Sequence, residues 1–556
     1  MSELKVEVAV EKKPRTRAKK AAPEAGTHKS FRVHTVRDKD GFEDRVVEIT
    51  SVKLRDFMRG YINIEGVYDD VPKINAVELF SNLDQIRSMS RRYDNNVLCG
   101  ELISFLELEN RDILARVTNM VSRGQMSFAL CRTLFSQGTE IEIHGDELRG
   151  GRVVDSTYQR SMFGTNLMIR YEYVSTDGQN LVQARTSIRL QPWAGVREIS
   201  RMPVRPLSLE NREILTQRGK MFSQVAVGAH YMNYRGHMLV KKWWSEDQMR
   251  SDGRIMVDAA THGQFVDDYR DDDQEDLSTN TVDSTMLWMT DPYIKGFSFA
   301  TKQWGRFAIK QISNIEYRDD AFDQLVLAQD KKDLVRALVV NSGAGFSDII
   351  SGKGGGCIFL LHGDPGVGKT LTAEAIAELL HRPLYSVAVG ELGTNTEQLE
   401  KSLRQILDVA QIWNAVILLD EADIYLEKRG SDVLRNALTS VFLRLTEYHQ
   451  GVMFLTTNRV TSFDPAFYSR ISVALKYGEL TSDSREHIWH NLLEAAKISG
   501  LDCAELAKIA INGRQIKNSI RLAQGLALQE GVPVNIQHIM KVVDLGQQFQ
   551  QDLKEA

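Results

Sequence analysis

Residues 360–378 read LLHGDPGVGKTLTAEAIAE, and GDPGVGKT within them has the spacing G-x-x-x-x-G-K-T. An apolar run precedes this stretch and an alanine-rich helical run follows it, the strand and helix that such a loop needs on either side. The glycines let a backbone wrap closely around phosphates with its N–H groups turned inward. Gly363, Asp364, Pro365, Gly366, Val367, Gly368, Lys369, Thr370 and Leu371 are therefore the expected phosphate cradle. Lys369 supplies a point charge to the β- and γ-phosphates, and Thr370 offers its hydroxyl to Mg²⁺. The next helix presents its positive end to the anion. Asp364 puts an anion into the loop, which weakens phosphate binding unless the side chain points outward.

The same grammar continues downstream. CIFLLHG (357–363), PLYSVAV (383–389), AVILLDE (415–421), GVMFLTTN (451–458) and VALKY (473–477) are short, nearly continuous apolar runs, as expected of strands buried on both faces of a parallel sheet. Between them TEQLEKSLRQILDVAQIW carries an apolar stripe at Leu399, Leu403, Ile406, Leu407 and Ala410, one face of an amphipathic helix. Strands alternating with helices make a doubly wound α/β domain. After Leu480 the chain turns helical, through REHIWHNLLEAAKI and GRQIKNSIRLAQGLALQ, a small all-α appendage.

Candidate chemistry lies at the carboxyl ends of these strands. In ILLDEAD (417–423) Asp420 is placed to hold magnesium, and Glu421 to orient and deprotonate an attacking water. Asn458, closing TTN, is a neutral polar probe for the γ-phosphate or the lytic water, although asparagine at a strand end is also common in turns. Arg470, in DPAFYSRIS, is expected at the sheet edge, where arginine stabilises phosphoryl transfer on a neighbour's nucleotide. Arg514, in GRQIKN, starts a helix of the appendage; it either reaches back over the phosphates or is an ordinary surface arginine.

At 556 residues the chain holds about three or four domains. Charge is nearly balanced, 69 basic against 74 acidic residues, so no global pull toward nucleic acid or anionic lipid is expected. The four cysteines, Cys99, Cys131, Cys357 and Cys503, have no metal or redox spacing and read as reduced thiols of an intracellular protein. No apolar run is long enough to span a membrane. Residues 1–30 read as a disordered basic tail; KKPRTRAKK (12–20) is either a solvated segment or a nuclear-import signal, leaving nucleus against cytoplasm open. Residues 31–262 read as an α+β region, with strands expected at 61–69, 166–174 and 181–190 and helices at 81–93 and 208–222. Trp243-Trp244 beside Lys241-Lys242 reads as a packed aromatic cluster or, less simply, a base-stacking patch. DDYRDDDQED (267–276) reads as part of an acidic linker, 263–286, before a nucleotide-binding core at 287–480 and a helical lid at 481–556.

HGDPGVGKT, LLDEAD, TTNR, DPAFYSRI and NGRQIKN, in that order, resemble the AAA branch of the AAA+ ATPases, more narrowly a group common in filamentous fungi with a long N-terminal region ahead of one ATPase core. The resemblance is close from about Gly296 to Val543 and faint from about Arg32 to Ile294. It implies a parallel sheet of order 5-1-4-3-2, a C-terminal helical lid, ATP with Mg²⁺ as ligands and a hexameric ring acting on a macromolecular partner, a protein rather than a nucleic acid. It maps Walker A onto Gly363 to Thr370, Walker B onto Asp420 and Glu421, sensor 1 onto Asn458, the arginine finger onto Arg470 and sensor 2 onto Arg514. Two departures stand out. The finger is single where better-known members carry a pair, and GELGTNTEQLE (390–400) lacks the aromatic of the first pore loop, which argues against threading a polypeptide. Two rival readings remain: an ATP-switched binding protein with little turnover, and a helicase suggested by D-E-A-D at 420–423. The helicase would need a second lobe, for which too few residues follow.

Overall fold

A computed structural model describes residues 28–37, 43–62, 64, 66–92, 96–161, 164–242, 245–266, 274–277, 279–340, 356–393, 395–429, 433–447, 449–459 and 463–555. The basic stretch 12–20, Trp243, Trp244 and the acidic residues 267–273 lie outside them.

The C-terminal half is built on five parallel strands: β1 (Cys357–Gly363), β2 (Leu384–Ala388), β3 (Val416–Asp420), β4 (Val452–Thr457) and β5 (Val473–Tyr477). Their order is β2-β3-β4-β1-β5, the expected 5-1-4-3-2 read from the other edge. The apolar runs of β1, β3 and β4 are continuous because both faces are covered, whereas the edge strand β5 leaves Ala474 and Lys476 exposed. Ile417 and Leu419 of β3 pack in one cluster with Leu399, Leu403 and Phe442, while Val416 and Leu418 pack in the other with Ala373, Ile376 and Phe359. Helices α1 (Lys369–Leu379), α2 (Thr396–Ile412), α3 (Asp423–Leu426) and α4 (Val433–Thr446) follow β1, β2 and β3. Asn395 starts α2 by accepting the Gln398 N–H at 2.7 Å.

The lid is all helix: α5 (Ser482–Ala495), α6 (Cys503–Ala507), α7 (Gly513–Glu530) and α8 (Ile536–Glu555). It folds around its own core of Trp489, Leu506, Ile516, Ile520 and Ile539. Asn512 and Gln515 close a reciprocal capping box on α7, which fixes where that helix begins.

Among its described residues the N-terminal half holds four sheets with helices beside them, the smallest a pairing of Gln125–Ser127 with Val196–Glu198. A three-stranded sheet (Phe31–Arg37, Glu43–Ile49, Lys73–Asn75) packs with Val52–Tyr61 and Asn96–Ser122 around a separate core. A six-stranded antiparallel sheet has Arg149–Ser161 and Gly164–Thr176 at its centre, with Leu181–Leu190 beside the latter. A five-stranded antiparallel sheet runs from His230–Lys241 to Ile312–Ser313.

Three expectations are met differently. The described residues of 61–69 include no strand: Tyr61 ends a helix, Ile62 and Ile64 are buried outside any helix or strand, and Val67 is buried in a turn. Within the stretch read as linker, Gln274–Asp276 pairs with Leu181–Leu190, whose edge offers unpaired backbone groups. The lead-in to the parallel-sheet core, Tyr293–Ser298 and Gln303–Ala308, joins the sheet of His230–Lys241 and Glu246–Val257 instead of the parallel one.

That five-stranded sheet is fused to the parallel core. Met256 and Phe297 are buried in the same cluster as Leu403 and Phe442. Phe297 stacks on Tyr385, and the Trp413 Nε1–H donates to the buried Asp258 carboxylate at 2.8 Å. Arg254 reaches Glu378, near the end of α1, at 3.0 Å.

Glu142, fully buried in the six-stranded sheet, organises the start of the helix Leu209–Val225. Its carboxylate accepts from the Ser208 N–H and hydroxyl, the Asn211 amide and Arg205. Burial opposes its charge, but His144, Ser208, Arg205 and Asn211 outweigh that and hold it at about 2, against 4.5 ordinarily. A depressed carboxyl stabilises fully above the unfolded value, and the contribution is lost as pH falls toward the folded one. Glu142→Gln should cost about 3 kcal/mol at neutral pH, a difference that shrinks on acidification. Urea unfolding of both proteins at several pH values measures it, and a parental midpoint at neutral pH would contradict the assignment.

Candidate nucleotide site

At the end of β1 the backbone turns sharply into α1. Gly363 sits at φ 141°, and a Cβ there would meet the Tyr477 carbonyl oxygen of β5 at 2.1 Å. Gly366 sits at φ 81°, and its Cβ would press on the Asn512 side chain at 2.8 Å. The loop is thus wedged between the sheet and the lid, with no room for side chains at either glycine.

Lys369, 8% exposed, begins α1. Its ammonium donates to the Gly363 carbonyl (2.7 Å), the Asp364 carbonyl (2.8 Å) and Asn458 Oδ1 (2.7 Å). Three donors meet three acceptors. Burial pushes this ammonium below the usual lysine range, against the opposing pull of Asp420, Asp364 and Asp423. The Asp364 side chain, flagged as an anion inside the loop, is exposed and does not line the cleft.

Asp420 ends β3 opposite this loop. Its Oδ1 accepts from the Thr370 hydroxyl at 3.3 Å and from the Thr456 hydroxyl on β4. Glu421 follows in a left-handed backbone, φ 57°, with its N–H donated to Thr456 Oγ1 at 3.0 Å. A non-glycine residue in that region costs about 1–3 kcal/mol and persists only where its surroundings over-determine it.

These groups open onto one cleft of about 1030 Å³ between core and lid. Arg514 and Lys517 line it from α7. The lid is latched to the loop through the Gly513 N–H on the Gly366 carbonyl (3.1 Å) and the Asn512 amide on the Pro365 carbonyl (3.4 Å). Leu325, Leu327, Ile488 and Leu492 give the cleft an apolar end, closed where Asn491 of α5 donates to the Gln324 carbonyl at 3.2 Å.

Lys369, Thr370, Asp420, Glu421, Asn458 and Arg514 therefore share one cleft. Arg470 does not line it. Its guanidinium donates to the Leu443 carbonyl (3.2 Å), the Ala466 carbonyl (3.0 Å) and Glu447 (3.1 Å). The sequence reading missed Thr456 and the lead-in residues 324–327. Thr456 looks like any β-branched strand residue; Leu325 and Leu327 stand far upstream of any motif. The Thr370 hydroxyl beside the Asp420 carboxylate is an oxygen pair suited to Mg²⁺, which takes one or two carboxylates along with substrate phosphates.

Residues 359–478 match the family described as "ATPase family associated with various cellular activities (AAA)". Residues 116–211 match a domain of unknown function, DUF7025. Among curated proteins the chain is 28% identical over 185 residues to "ATPase family AAA domain-containing protein 3B" of Homo sapiens, covering 31% of this chain and 28% of that one. It is 32% identical over 171 residues to "Nuclear valosin-containing protein-like" of Mus musculus, covering 28% and 19%. It is 27% identical over 193 residues to "Spastin" of Anopheles gambiae, covering 32% and 23%. The matches thus span less than a third of each relative.

The wedge at Gly366 gives a direct test. Gly366→Ala forces a Cβ against Asn512 in a left-handed backbone, so it should weaken nucleoside triphosphate binding by roughly tenfold. Calorimetric titration measures it, and unchanged affinity would show that the loop is not held between sheet and lid.

Proposed function

Residues 359–478 form an ATPase domain of the AAA family, and from that premise we propose that the chain binds ATP with Mg²⁺ and hydrolyses it as an oligomer, remodelling a protein partner held by its N-terminal region. The observation that carries this reading is the convergence of Lys369, Thr370, Asp420, Glu421 and Asn458 on one cleft from three separate strand ends.

In this mechanism the loop N–H groups and Lys369 hold the phosphates, Lys369 exchanging its carbonyl partners for phosphate oxygens. Arg514 approaches them from the lid. The base lies against Leu325, Leu327, Ile488 and Leu492, the apolar end of the cleft. Thr370 and Asp420 would hold Mg²⁺, which when bound neutralises charge on the phosphates. Glu421 accepts a proton from the attacking water as general base, and Asn458 orients that water. Arg470, outside its own chain's cleft, serves the cleft of an adjacent subunit, where a guanidinium spreads the transition-state charge. A hexameric ring, as the AAA resemblance implies, supplies that neighbour. Among the described residues no helix is long and apolar enough to cross a membrane.

Glu421→Gln should retain ATP while slowing hydrolysis by roughly 10²–10⁴-fold. Parental turnover in that variant, by phosphate release, would remove Glu421 as the base. Arg470→Ala should lose about 10³-fold or more in the assembled protein. Mixing it with Lys369→Ala should restore part of the activity, because one variant keeps an intact cleft and the other an intact arginine. Mixtures no more active than either variant alone would contradict action between subunits.

A further inference from the structure

Thr456 touches both acids of the cleft and carries no assigned role. It is 1% exposed in β4, a central strand of the parallel sheet. Its hydroxyl donates to Asp420 Oδ1 and accepts the Glu421 N–H at 3.0 Å. Its carbonyl accepts the Ala422 N–H at 3.0 Å. One residue of β4 therefore binds three consecutive positions, from the last residue of β3 onward, and it does so where Glu421 holds a left-handed backbone. A hydroxyl is the side-chain group that can give a hydrogen bond to a carboxylate and take one from an N–H through the same atom. Valine has the same shape and can do neither.

We propose that Thr456 is a positioning residue: its hydroxyl aims the Asp420 carboxylate at the Thr370 side and locks the Glu421 backbone so that the Glu421 carboxylate enters the cleft. The proposal rests on the ATPase reading above and deepens it. The orientation of both acids is set from the strand that Asn458 follows, so the residues that face the metal, the water and the γ-phosphate share one rigid reference.

The test compares Thr456→Val, Thr456→Ser and the parent as full-length chains, using two readouts: steady-state phosphate release, and binding of a fluorescent ATP analogue titrated with and without Mg²⁺. Thr456→Val should lower kcat by about 10–100-fold and weaken the Mg²⁺-dependent part of binding, leaving Mg²⁺-free binding unchanged. Thr456→Ser should keep both near the parental values. A Thr456→Val protein with parental kcat and parental Mg²⁺ dependence overturns the proposal. So does a Thr456→Ser protein as impaired as the valine variant, because shape and not the hydroxyl would then matter. If Thr456→Val does not fold, Thr456→Cys takes its place, with a weak donor and acceptor and the same two expected losses. A parent that binds Mg²⁺ and ATP without turnover sinks the ATPase reading instead, and the Mg²⁺-dependent binding of the variants still decides the role of Thr456.

Discussion

A buried ammonium must be answered by acceptors, and the way Lys369 is answered organises the C-terminal half of this chain. Its three partners belong to β1, to the glycine loop and to the residue after β4. Burial costs the charge its hydration, so each partner is held at a fixed distance rather than left to wander. The sheet order brings β1 and β4 together as neighbours, which places Asn458 within reach of the loop. Asp420 and Thr456 are joined in the same way across β3 and β4. The polar groups at the carboxyl ends of three strands thus form one connected network, and the cleft is what that network faces.

Around it the packing divides the labour. The lid has its own core and meets the loop through two backbone-directed hydrogen bonds, a small contact suited to motion of one body against the other. The five-stranded sheet of the N-terminal half is different. Its Met256 and Phe297 share a hydrophobic cluster with the parallel sheet, Trp413 is pinned to Asp258, and Arg254 holds α1 through Glu378. Burying side chains of this size contributes about 1.5–3 kcal/mol each, so this part of the N-terminal half moves with the ATPase core.

The parallel sheet was legible because its central strands β1, β3 and β4 are short, apolar on both faces and followed by polar or glycine residues at their carboxyl ends. The loop from Gly363 to Thr370 and the pair Asp420-Glu421 were legible for a chemical reason: phosphates need backbone approach and a cation needs carboxylates at a strand end. The N-terminal half was not read as well. Its sheets join segments far apart in sequence, as where Tyr293–Ser298 pairs with Glu246–Val257, and no local periodicity records such a pairing. Ile62, Ile64 and Val67 imitate a strand because buried loop residues can alternate too. Thr456 was hidden because its polarity matters only once β3 lies beside it.

The central claim is that the glycine loop, the acids of β3 and the lid enclose a single ATP, with its base against the lead-in segment and α5. Photolabelling of the full-length chain with 2-azido-ATP, followed by peptide mapping, tests it most directly. The account predicts saturable label, displaced by ATP, on peptides containing residues 324–327 or 488–492. Label confined to the N-terminal sheets, or label that ATP does not displace, would contradict it.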